Sequence, residues 1–259
     1  ARRRAGDNTE YRNSVKEHEG KAMVGIILFA AAYFVLLSFY IREDIFGRFS
    51  RATKLKMTLS TLFCVLGGWG LLSWPADPPE EAVFILCGLV CALIGDYFLR
   101  FIQIDARKFN CGILFFAGAQ AFFLVSMFTV QGIGSAEFVF TALLLAAALI
   151  LMKKQSWKLG KAQGPLTVYM ILLSLMMAKA LVTVLAPTAG AELWPSTVSP
   201  RIPAYFFMAA GAVLFWTSDL LLGIWNYHSR KNSITAWNSI TYFTGVFLIA
   251  LSLQYTLPI

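Results

Sequence analysis

The chain has 259 residues, of which 58% are apolar, 15% aromatic and only 14% charged, with a mean hydropathy of +0.66. A soluble domain is about a quarter charged, so this composition speaks against disorder and against a nucleic-acid-binding surface. In so apolar a chain the net charge of +8 points to loops on one side of a membrane rather than to acidic partners.

Residues 1–22 form a polar tail, expected as an interfacial or poorly ordered segment before a single membrane domain over 23–259. The tail is too long, and too charged in both signs, for a cleavable signal peptide. A bilayer core about 30 Å thick takes about 20 apolar residues in a helix. Eight such runs follow: roughly 23–41, 57–74, 82–101, 110–130, 136–152, 165–186, 204–225 and 236–257. The fifth is short but well bounded by Gln131–Ser135 and by Lys153-Lys154. The expected fold is an all-α polytopic membrane protein, a bundle of eight transmembrane helices. Prolines at 75, 78 and 79, and at 195, 200 and 203, mark loops on one face. Cys64, Cys87, Cys91 and Cys111 lie in or beside apolar runs without metal-site spacing, and read as small buried hydrophobes.

The loops after spans one, three, five and seven (42–56, 100–109, 153–163 and 226–235) hold fourteen Lys and Arg. The opposite loops hold Arg201, and the tail adds six more basic residues. Basic loops stay in the cytoplasm, which places both termini outside, against the pull of Arg2-Arg3-Arg4.

Twelve of the 14 acids read as tail or loop residues, leaving Asp96 and Asp219 within spans. Lys179 is the one base well inside a span, as ready to snorkel to the outer surface as to act. Lys54 and Lys56 stand at the mouth of span two. A carboxylate in a bilayer costs at least about 2.5 kcal/mol and normally faces a cavity or a partner. Both aspartates sit in one pattern, G-x6-[GS]-D-x-x-L, as Gly88 to Leu99 in span three and Gly211 to Leu222 in span seven. Four spans apart, they run parallel at one depth near the basic-loop end, so they are expected to face one another across a cavity. Gly95 and Ser218, just before them, let a helix or ligand come close. Tyr169, Tyr242, Asn226 and Tyr227 lie at similar depth, with Gln120 deeper in span four, placed to line the same cavity. The stripe Phe115, Phe116, Phe122, Phe123 reads as lipid-facing or core packing.

At these residues the sequence resembles the YhhN-like integral membrane proteins, which include the lysoplasmalogenases. The likeness covers roughly spans two to eight. Its most specific parts are Gly88-Leu89 through Gly95-Asp96 to Leu99 and, closer still, Gly211-Ala212-Val213-Leu214-Phe215 through Ser218-Asp219 to Leu222. Further likenesses are Lys54 or Lys56, Gly112 and Phe116, Val168-Tyr169, and Thr241-Tyr242. Two positions depart: Gln120 stands where the family usually has His, and Val246 where it usually has Gln. The family's eight-helix fold agrees with the count of spans.

The resemblance implies hydrolysis of the vinyl ether bond of a lysoplasmalogen to a fatty aldehyde and glycerophosphocholine or glycerophosphoethanolamine. Asp96 and Asp219 are then the catalytic pair, and Lys54, Lys56, Gln120, Tyr169, Ser218, Asn226 and Tyr242 bind substrate. Vinyl ether cleavage needs one acid to protonate the β-carbon and one carboxylate to steady the cation or activate water, as in glycosidases. No metal or other cofactor is called for, and the partner is a membrane lipid reached from the cytoplasmic side. Two other readings stay open: a proton-coupled transporter, against which the proline-free span interiors weigh, and a non-catalytic accessory subunit or homo-oligomer of the same fold.

Overall fold

The computed structural model describes residues 2–74, 77–102, 104–157, 159, 163–185 and 201–254, and for 2–19, 21, 22 and 201–203 the backbone alone. Eight helices follow in chain order: α1 (Arg2–Ile45), α2 (Phe49–Leu72), α3 (Glu80–Leu99), α4 (Ala106–Val130), α5 (Ser135–Lys154), α6 (Gln163–Leu185), α7 (Arg201–Tyr227) and α8 (Asn232–Ser252). Each is long and apolar enough to cross a membrane, with Met23–Ile45 as the crossing part of α1. The chain is therefore an all-helical, multi-pass membrane protein. Pro75, Pro195, Pro200, Lys158 and Lys161 lie outside the described residues.

The helices overrun the apolar runs where nothing stops them. The backbone before Met23, expected as an interfacial or poorly ordered tail, is helical and continuous with span one; no proline interrupts it. Helix α2 begins at Phe49, two turns ahead of the apolar run, and so takes up Lys54 and Lys56. Pro165 and Pro203 fall in the first turns of α6 and α7, where a missing N–H costs nothing. Asp105 caps α4, its Oδ1 accepting from the backbone N–H of Arg107 at 2.9 Å and of Lys108 at 3.3 Å.

The tightest helix pairs are α3 with α4 and α7 with α8. Glycines allow the close approach, as small residues do between helices in lipid. A Cβ at Gly95 would lie 2.8 Å from the Phe116 ring, and one at Gly211 would lie 2.7 Å from the Gly245 carbonyl oxygen. Contacts run α2–α3–α4–α6–α7–α8 and back to α2, a ring of six, with α1 outside against α2 and α8 and α5 outside against α6.

Of the aromatic stripe on α4, Phe116 and Phe123 pack in the core, whereas Phe115 and Phe122 are half-buried, because positions seven apart share a helix face. Three expectations need correction. The four cysteines are free but not buried: Cys64, Cys87 and Cys91 are half-buried, Cys64 and Cys91 against the core, and Cys111 is exposed. Glu137, read as a loop acid, is buried in the first turn of α5 and pairs with Lys179, 3.0 Å away. Lys179 does not snorkel. It is wholly buried and also donates to the Gly132 carbonyl at 2.5 Å, while Glu137 accepts from the Gly134 N–H at 3.0 Å.

Candidate functional site

Two cavities lie toward the basic-loop end of the bundle and share part of their lining. The larger, about 420 Å³, lies among α1, α2, α3, α7 and α8. Its walls carry Lys56, Asp96, Arg100, Asp219, Arg230 and Tyr242. The smaller, about 240 Å³, is an apolar slot among α4, α5, α6 and α7. Asp219 lines both, as do Phe116, Leu99 and Leu222. A polar chamber and an apolar slot thus share a carboxyl group at their junction, which suits a molecule with a polar head and a hydrocarbon chain.

Asp96 is 1% exposed, and its two oxygens are held differently. Its Oδ2 accepts from the Ser60 hydroxyl at 2.6 Å and the Tyr242 hydroxyl at 2.7 Å, and the Lys56 ammonium stands 2.9 Å from Oδ1. Helical period explains the partners. Lys56 and Ser60 are four residues apart on one face of α2, and Ser60 Oγ also reaches the Lys56 carbonyl at 3.0 Å. Lys54, two residues earlier, points the other way; it is exposed and lines neither cavity.

Asp219 is placed differently. Its Oδ2 accepts a short hydrogen bond from the Tyr169 hydroxyl of α6, and no ion pair among the described residues involves it. Behind Tyr169, Gln120 of α4 is fully buried and near that hydroxyl, yet neither amide atom makes a hydrogen bond of normal geometry. Ser218 lines the polar cavity, but its hydroxyl is turned to the Phe215 carbonyl at 2.7 Å. Asn226 lines the apolar slot beside Tyr227.

The structure therefore brings Asp96, Asp219, Lys56, Tyr242 and Ser218 to one chamber, and Tyr169 and Asn226 to the slot that joins it. Gln120 sits behind both cavities, and Lys54 stands apart. Sequence reading missed Ser60, Asn238 and Arg100. Asn238 donates to the Ser218 carbonyl at 2.7 Å, holding the α7 backbone one residue before Asp219. Arg100 lines the chamber and is held by Asp44 at 2.7 Å and Thr53 at 3.1 Å. The signal for Ser60 was its four-residue spacing from Lys56. No group of three His, Cys, Asp or Glu suited to a metal occurs among the described residues.

Searches of curated proteins and of solved structures each found no match. The sequence pattern of the YhhN family, by contrast, matches residues 69–253, which takes in both aspartates, Tyr169 and Tyr242 but leaves Lys56 and Ser60 outside. The match covers well over half of the chain, including both aspartate-bearing helices in full, and the chain belongs to the YhhN family.

Proposed function

We propose that the protein hydrolyses the vinyl ether bond of a lysoplasmalogen, releasing a fatty aldehyde and the glycerophospho-alcohol. The observation that carries this reading is the position of Asp219, between an apolar slot and a polar chamber that also holds Asp96. The alkenyl chain lies in the slot, the head group lies in the chamber facing the cytoplasm, and the vinyl ether falls at the junction.

The surroundings divide the work. Asp96 already has a lysine and two hydroxyls and acts as the carboxylate. Asp219, with a tyrosine beside it and an apolar slot on one side, is the proton donor. Asp219 gives its proton to the β-carbon, and an oxocarbenium ion forms at the carbon bearing oxygen. Water adds there and passes a proton to Asp96, leaving a hemiacetal. As the hemiacetal collapses, Asp96 protonates the departing alkoxide oxygen while Asp219 takes the hydroxyl proton. Aldehyde and alcohol leave, and both acids return to their starting state. Lys56 and Tyr242 steady Asp96, Tyr169 orients Asp219, the Asn238 amide holds the Ser218 carbonyl just before it, and Asn226 lines the slot that takes the chain.

The test is aldehyde release from purified protein given a lysoplasmalogen or its saturated ether analogue. Release is expected from the vinyl ether alone. Asp219→Asn and Asp96→Asn should each lower turnover at least about 100-fold, the scale of a general acid or base, and the double variant should lose far less than the product of the two. Two stable, fully active single variants would leave the accessory-subunit reading in place of the enzyme.

A further inference from the structure

We propose that the apolar slot opens sideways to the bilayer between α4 and α5, so that the single hydrocarbon chain of a lysolipid slides in from the membrane while Trp157 shuts the slot's aqueous end. The proposal rests on the lipid reading of the site and adds the route and orientation of the ligand.

The opening follows from how α5 is held. It packs against α6 and against no other helix to a comparable extent. Near the opposite end of the bundle it is pinned to its neighbours: the Lys179 ammonium of α6 holds both Glu137 and the Gly132 carbonyl of the α4–α5 connection. Beyond that pinned end α4 and α5 make no substantial contact with each other. Between them lies the slot, walled by Phe109, Ile113 and Phe116 on α4 and by Leu145, Ala148 and Leu149 on α5. Leu149 lines the slot and is also 62% exposed, so one side chain meets both the cavity and the surrounding hydrocarbon.

The aqueous end is built to stay shut. Ser156 takes a left-handed conformation (φ 54°) that ends α5, and the Trp157 N–H returns to the Met152 carbonyl at 3.1 Å. The indole then lies across the slot with its N–H donating to Gln155 at 3.0 Å and its ring 5.7 Å from that of Tyr227. It rests directly on Gly223, where any Cβ would overlap the ring. At the inner end the slot passes Asp219 into the charged chamber, which receives the polar head. A chain therefore meets hydrocarbon at the side and a flat aromatic at the water.

The experiment uses lysophosphatidylcholine with a diazirine in mid-chain, added to phosphatidylcholine vesicles containing the full protein, irradiated and mapped by mass spectrometry. Label is expected on the α4 segment around Ile113 and the α5 segment 145–149. Leu149→Trp should cut labelling of the α7 segment around Leu222 at least about tenfold by filling the gap. Leu143→Trp, on α5 but outside the slot and 60% exposed, should leave labelling unchanged. Label confined to other helices, or equal effects of the two tryptophans, would overturn the route. Labelling needs no turnover: a slot that labels without aldehyde release removes the hydrolase and keeps the route, and release without slot labelling does the reverse.

Discussion

Replacing Lys56 by Met should destabilise the protein far more than replacing its partner Asp96 by Asn. Asp96 is 1% exposed, and Lys56→Met leaves its Oδ1 with no cation in reach. An uncompensated buried charge costs about 3 to 5 kcal/mol, and the Ser60 and Tyr242 hydroxyls recover only part of that. The reverse change is milder for two structural reasons. The Lys56 side chain is 12% exposed at the chamber mouth, so without its partner it can swing toward water. An Asn at 96 still accepts from both hydroxyls, so the loss there is about 1 kcal/mol, one neutral hydrogen bond for a charged one. The double variant, with neither charge buried, should recover most of the loss, leaving a coupling of about 2 kcal/mol or more between the sites. The assay is equilibrium unfolding of all four proteins in mixed micelles, followed by tryptophan fluorescence. Additive losses, or a Lys56→Met protein as stable as the parent, would refute the view that this lysine is the counter-ion of Asp96.

Further outcomes follow from other contacts. Lys179→Met should cost about 3 to 5 kcal/mol by stranding buried Glu137, and adding Glu137→Gln should restore most of it in the same unfolding assay. Tyr169→Phe should lower turnover about tenfold or more with little change in KM, because the hydroxyl touches Asp219 rather than the chain. Gly245→Leu should prevent folding or cost several kcal/mol, since a Cβ there lies 2.9 Å from the Gly211 carbonyl oxygen; circular dichroism and thermal melting report it. A cysteine in place of Lys154 should react with a membrane-impermeant maleimide only when the cytoplasmic face is accessible, as the basic loops require.

The helices were legible because hydropathy over twenty residues is a strong local signal, and the two aspartates because carboxylates stand out in apolar spans. Tyr169 and Tyr242 were found through depth and family likeness. What stayed hidden depends on distance in sequence. Glu137 reads as a loop acid until Lys179, 42 residues later, is seen beside it. Ser60 carries no signal of its own until Asp96, 36 residues on, takes its hydrogen bond. Lys54 and Lys56 could be told apart only by phase, once α2 was known to start at Phe49. Trp157 lies after a left-handed residue that periodicity does not register.

The two aspartate motifs are near copies, yet their settings are not. One carboxyl is given a cation and two hydroxyls from α2 and α8; the other receives one phenol from α6 and a wall of hydrocarbon. The repeated pattern therefore supplies two seats for carboxyl groups, and the neighbouring helices make those seats unlike. A chain with both patterns intact but an apolar residue where Lys56 stands would lose the cation at one seat and keep only two hydroxyls there against a single phenol at the other. The lysine that gives one copy of the repeated motif its counter-ion lies in α2, ahead of the residues matched to the family.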